Sequence, residues 1–263
     1  MILLCGSILF AQDPYVSAYV GYGLGFPGET VTTTVGTDTI STSTVNKIRL
    51  GGGINGGASF GIMIDDGVGF EFNVNYQLNP GNEYSESYEM SFPDGMGGVN
   101  KISQVSVVEV NSWSLRFTPS LRLEADMKDS KPFMTIGPAV SISSLTQNVS
   151  QTDILTGQIE SETSISGALS FGLSASVGYE FELDRDIYLT AAIQGNMGYF
   201  KPSKGEYTAY TINGQDVLGD LPGEDRSWEY DTEISSTQDN VLPAEIRDYS
   251  SINLLVGVRF VLD

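Results

Sequence analysis

Histidine is missing from this chain altogether, and its one cysteine, Cys5, sits within the first dozen residues. Those two absences remove Ser-His-Asp and Cys-His nucleophilic sites, His-Asp water activation, His-based zinc sites, thiolate metal sites and disulfides from the rest of the protein. Positive charge is also scarce. Only 13 Lys and Arg stand against 33 Asp and Glu, a net charge of -20. Recognition of a phosphate backbone needs clustered cations, so no nucleic-acid partner is expected. No apolar run reaches about 18 residues, which excludes a helical membrane span, and neither heptads nor a 3.6-residue stripe is present. Carboxylate pairs are the only acid and base candidates left, and no cofactor or catalytic residue is expected.

What the chain does have is glycine, 30 of them, with abundant serine and threonine, and a period of two. The opening MILLCGSILFAQ is an apolar run with a small residue, Ala11, before a plausible cut. Residues 1–11 therefore read as a signal peptide, truncated or from a late start because the basic n-region is missing. Lipidation at Cys5 is the weaker alternative, since only four residues precede it.

From residue 12 to 263, eight segments of about ten residues or more alternate large apolar with small or polar side chains. The clearest is Ser166 to Leu183, SGALSFGLSASVGYEFEL. Leu169, Phe171, Leu173, Val177, Tyr179, Phe181 and Leu183 form one face, and Ser170, Gly172, Ser174, Ser176 and Gly178 the other. The remaining segments begin near Val16, Leu50, Val68, Trp113, Met134, Ile187 and Ile252. Leu50 is assigned to the apolar face of the second.

The connections alternate in length. Asp65–Gly67, Asp126–Lys131 and Asp184–Asp186 are tight turns. Gly25–Lys47, Asn79–Gln104, Leu145–Thr163 and Lys201–Tyr249 are long, and all four fall at the opposite end.

A ten-residue strand tilted by about 40° crosses an apolar band of roughly 25 Å. With no water in that band, a sheet spans it only by closing. The predicted fold is all-β: an eight-stranded antiparallel up-and-down transmembrane β-barrel with three short turns and four long loops. A lipocalin-like barrel, apolar inside, is the competing reading. Its outer face would carry Lys, Glu and Asp, whereas here the polar columns are Ser, Gly, Ala, Asn and Thr, which suit a narrow interior.

Two aromatic belts are expected on the apolar face: Tyr22, Tyr76, Trp113 and Tyr199 toward the long loops, and Phe70, Phe133, Tyr179, Phe181 and Phe260 near the tight turns. Phe133 is out of phase. Counting from the tight turns puts Glu71, Arg122, Glu180 and Arg259 in one layer of the interior. Buried charges must be paired, so these residues are expected to form a lumen ion-pair cluster, with Arg116 higher up and Glu124 and Glu182 nearer the rim.

The export-like opening, eight strands, three tight turns, four long loops and a final strand containing Phe260 together resemble the small outer-membrane β-barrels of the OmpA and OmpX type, without the periplasmic wall-binding domain. Asp263 departs from the aromatic residue on which such barrels commonly finish. The resemblance implies a monomer in contact with outer-membrane lipid, both termini periplasmic and loops extracellular, in a Gram-negative cell surface. It also suggests adhesion, envelope integrity or docking of an extracellular protein or surface ligand. A narrow pore for small solutes, or a subunit of a secretion or transport assembly, are the alternatives.

The fourth loop is the most acidic. GEDRSWEYDTE holds Glu224, Asp225, Glu229, Asp231 and Glu233 around Trp228, a candidate calcium or partner site whose spacing is not that of an EF-hand. The β-branched stretch Val31 to Val45 is expected to extend the first two strands as a ribbon.

Overall fold

The computed structural model describes residues 13–26, 28–33, 43–93, 99–127, 130–153, 157–232 and 240–262. The expected signal peptide, Cys5 and Asp263 lie outside them. The strands in chain order are β1 (Asp13–Gly25), β2 (Gly28–Thr33), β3 (Ser43–Ile48), β4 (Gly53–Asp65), β5 (Val68–Pro93), β6 (Val99–Glu124), β7 (Lys131–Asp153), β8 (Gly157–Gly167), β9 (Ser170–Asp184), β10 (Ile187–Met197), β11 (Tyr199–Phe200), β12 (Pro202–Ile212), β13 (Gln215–Asp216), β14 (Ser227–Asp231), β15 (Val241–Pro243), β16 (Arg247–Asp248) and β17 (Ser251–Val261).

Eight of these close on themselves. The hydrogen-bonded order runs β7, β6, β5, β4, β1, β17, β10, β9, and β9 pairs back onto β7. All eight pairings are antiparallel, so the barrel has no free edge around its circumference. The short turns carry the geometry their sequences call for. Gly67 and Asp186 adopt positive φ, 87° and 67°, and the Asp65 and Asp184 carboxylates each accept the next residue's backbone N–H, at 2.8 Å in both turns.

Side chains then sort by parity. Val20, Leu24, Ile54, Phe70, Phe171, Leu173, Val177, Leu254 and Val256 point outward and are exposed, whereas Ser59, Asn73, Thr118, Ser120, Ser174 and Ser176 are buried inside. Large apolar residues facing out from a closed barrel have only lipid to pack against. The aromatic belts sit on this outer face, from Tyr22, Tyr76, Trp113 and Tyr199 at one end to Phe70, Tyr179, Phe181 and Phe260 at the other.

Phe133 is a correction. It is buried in the lumen, because on β7 its parity is that of the inward Thr135, Gly137 and Ala139. Leu50 is another: it precedes β4 in a turn, so strand parity does not apply, and it is 2% exposed in an interior cluster.

Two of the long connections are themselves strand. β5 and β6 each run for 26 residues, roughly 85 Å at about 3.3 Å per residue, far beyond the apolar band. A bulge at Asn79–Asn82, with Gly81 at φ 72°, re-phases β5 as it leaves the barrel. β7 changes partner on the way up. From Lys131 to Ser141 it pairs β9, and from Ser144 to Asp153 it pairs β8.

Beyond that fork, β5, β6, β7, β8, β12, β14 and β15 form one continuous sheet. The stretch Ser166–Leu183 is therefore divided: Ser166 and Gly167 end β8, and β9 starts only at Ser170. The expected first-loop ribbon is present at its base, where β2 pairs β3 from Gly28–Ile48 to Thr33–Ser43; residues 34–42 lie outside the described set.

Candidate functional site

The lumen is crossed by two layers of different chemistry. The lower one, near the tight turns, is ionic. β5 supplies Glu71, β6 supplies Arg122 and Glu124, β9 supplies Glu180 and β17 supplies Arg259. The Arg122 guanidinium reaches Glu180 at 2.7 Å, Glu124 at 3.0 Å and Glu71 at 3.3 Å. Arg259 Nη1 reaches Glu180 at 2.7 Å and Glu124 at 2.9 Å. The Tyr15 hydroxyl donates to Glu71 at 2.9 Å, and its ring lies 3.9 Å beneath Arg259. Phe133 stacks under Arg122 at 4.3 Å, which is why its aromatic ring belongs inside.

Of the five lumen residues named from the sequence, the structure brings together Glu71, Arg122, Glu180 and Arg259. Glu124 is drawn in from the rim to bridge both arginines, because its inward parity matches that of Arg122 one pleat away. Glu182 is exposed. Arg116 is not in the cluster; it stands alone, three pleats up β6. Between the ionic layer and Arg116 lies a cavity of about 50 Å³ lined by Tyr19, Asn73, Thr118, Ser174, Gln194 and their neighbours, room for a few waters.

The upper layer is apolar and was not foreseen. Leu50, Val108, Val110, Leu145, Ile165, Phe200 and Tyr249 form one buried cluster, with Tyr84, Val149 and Tyr230 packed against it. Val108 and Val110 continue the inward parity of Ser112, Ser114 and Arg116 on β6. Above the lipid band, therefore, the faces exchange character: apolar inward, charged outward. Phe200 wedges into the fork where β7 leaves β9. A side chain on Gly167 would collide with its ring at 2.7 Å, so the close approach is possible only with glycine there. Burial pushes the Tyr249 phenol up to about 12, leaving it a neutral hydroxyl at neutral pH.

The outward face of the extension is acidic. Glu83, Glu109, Glu160 and Glu162 line a concavity of about 330 Å³ with Asn148, Ser150, Ala209 and Thr211. Farther along, Tyr210, Tyr207, Trp228 and Tyr230 form an edge-to-face ladder with centroid spacings of 5.6, 5.2 and 6.5 Å. Burial in that ladder raises the Tyr207 phenol above its ordinary value. Trp228 thus serves the ladder.

The other members of the candidate calcium set are dispersed. Glu224 and Asp225 are exposed on a single helical turn, Gly223–Arg226, and Glu229 faces Lys204 across the sheet. Asp231 accepts the Thr232 backbone N–H at 2.6 Å. Glu233 lies outside the described residues. Among the described residues, no three acidic side chains stand close enough to hold a metal ion.

Closed strand pairing, an outward apolar face and a polar filled interior define a class: the protein is an eight-stranded transmembrane β-barrel. Among solved structures it is similar to Neisserial surface protein A (TM-score 0.36, 15% identity, covering 95% of this chain and 99% of that one). It is also similar to Ail, the attachment invasion locus protein of Yersinia pestis (0.31, 9%, 94% and 99%), and to the outer membrane protease OmpT from Escherichia coli (0.38, 8%, 96% and 98%). No protein-family model matches the chain, and no curated protein matches it. The class rests on the pairing and the two faces of its own strands.

Proposed function

We propose that this barrel is a non-catalytic surface binding module: the membrane part is an anchor with a closed lumen, and the seven-stranded extension presents an acidic face to basic ligands outside the cell. The observation that carries the reading is the exchange of faces along β5, β6 and β7. A strand that merely connected two barrel strands would need no ordered extension, whereas here the sheet keeps its own apolar core and turns Glu83, Glu109, Glu160 and Glu162 outward. Unneutralised carboxylates on a rigid sheet favour cationic partners through electrostatic complementarity, chiefly by raising the encounter rate. The ionic layer below and the apolar layer above argue against a standing pore.

The test compares cells carrying the protein with cells carrying a variant in which those four glutamates are glutamine. Adhesion to a polylysine-coated surface is expected to fall in the variant, and the wild-type advantage is expected to vanish as ionic strength rises and the Debye length shrinks below about 8 Å. Equal adhesion at equal surface abundance rejects the reading.

A further inference from the structure

The charges of the ionic layer do not cancel. Glu71, Glu124 and Glu180 stand against Arg122 and Arg259, which leaves one carboxylate in excess inside the barrel. Arg116 does not supply the missing charge: it lies roughly 20 Å up β6 from Arg122, at about 3.3 Å per residue, and does not line the lumen cavity. Lys131 is held at the rim by Asp126, at 3.3 Å. Glu71 is the least neutralised of the three, because Glu124 and Glu180 each touch both arginines and Glu71 touches only Arg122. Tyr15 and Arg122 both contact its Oε2, and among the described residues nothing contacts its Oε1. Strand register places oxygen ligands around it. Ser17 on β1 faces Ser59 on β4, Ser59 faces Asn73 on β5, and Asn73 faces Thr118 on β6. This row stands one inward position above Glu71, and all five residues line the lumen cavity of about 50 Å³. Ser59 and Thr118 are 7% and 5% exposed, and among the described residues neither hydroxyl has a hydrogen-bond partner.

We propose that the lumen cavity holds one monovalent alkali-metal cation, bound by Glu71 Oε1 together with the Ser59 and Thr118 hydroxyl oxygens. The chemistry selects the ligand. An excess carboxylate in a low-dielectric interior is strongly disfavoured. Water in the cavity would satisfy the two hydroxyls and leave that charge untouched. A hard cation brings the opposite charge and takes oxygen ligands. Each hydroxyl oxygen offers two lone pairs, and Asn73 Oδ1, which accepts the Tyr19 hydroxyl at 2.8 Å, keeps one for the ion. The ion is monovalent because the excess is a single charge, and among the described residues no three carboxylates converge to favour a divalent one. The cavity has room for it with a water or two completing its shell. Lying between the ionic and apolar layers, the cation neutralises the lumen without crossing it.

The full chain, refolded and crystallised in thallium(I) acetate, tests this. An anomalous thallium peak in contact with Glu71 Oε1 and with the Ser59 or Thr118 hydroxyl is expected, and the Glu71→Gln protein, which keeps the shape and removes the charge, is expected to lack it. A cavity holding only water, which would leave a proton on Glu71 as the neutralising charge, overturns the proposal. In solution, the temperature at which the heat-shifted gel mobility changes is expected to be several degrees higher after refolding in mixed sodium and potassium chloride than in N-methylglucamine chloride at the same ionic strength, because the organic cation is too large for the cavity. Thr118→Val, which keeps the volume and removes one oxygen ligand, is expected to shrink that difference. Equal transition temperatures for the wild-type protein in the two media overturn it as well.

Discussion

At the scale of single residues, the ionic layer is where one atom changes most. Glu180 is 1% exposed and bonds both arginines. Glu180→Ala leaves Arg122 and Arg259 with two carboxylates between them in a low-dielectric interior. Breaking a buried pair by deleting one partner costs about 3–5 kcal/mol, so the free energy of unfolding from lipid vesicles should fall by that amount, read as a lower urea midpoint at unchanged m-value. The double variant Glu180→Leu with Arg259→Met removes charge of both signs and should recover most of it; a double variant as unstable as the single would show that the layer acts by shape. These charges were legible beforehand because distance from a tight turn fixes height in the barrel and parity fixes the face. Glu124 was placed one pleat too low, since counting cannot see that the long arginine side chains reach down to it. Phe133 carried its own signal, being out of phase with every lipid-facing neighbour on β7.

At the scale of elements, the barrel strands could be read directly, whereas their continuations could not. In the lipid band, alternation sets large apolar against tiny side chains. In the extension both faces hold medium-sized residues, as in VSVVEV at Val105–Val110, and the period of two fades. The wedge was invisible for a different reason: Gly167 and Phe200 are far apart in sequence and meet only through the fork in β7. Phe200→Ala should empty that wedge and cost about 3–5 kcal/mol, seen as early protease cleavage in the extension while the barrel itself stays heat-modifiable. Gly167→Val should do the same from the other side, by collision. Topology is tested on the same elements. In a Cys5→Ser background, Glu109→Cys on intact cells should react with a membrane-impermeant maleimide, and Arg185→Cys in a tight turn should not. The reverse pattern would put the acidic sheet inside the cell envelope.

At the scale of the whole molecule, the two layers are seals in series, and that arrangement decides what the lumen can do. Ions crossing the barrel must pass the paired charges of Glu71, Arg122, Glu124, Glu180 and Arg259 and then the closed apolar layer from Leu50 to Tyr249, where no polar lining replaces their hydration. Either layer alone blocks the path, so the wild-type protein in a planar bilayer should show no stable conductance. Neither Phe200→Ala nor the Glu180→Leu, Arg259→Met pair should open it, since each leaves the other seal in place. Combining the three substitutions should give steady openings, with the small cavity of about 50 Å³ becoming part of a continuous water path. Conductance from the ionic-layer variant alone would mean that the apolar layer is porous, and the barrel would then be a gated channel whose gate is the ion-pair cluster. No conductance from the triple variant, with the barrel still folded, would mean that the remaining Tyr15, Phe133 and Arg122 side chains fill the interior by bulk, as eight strands leave room for little more than side chains.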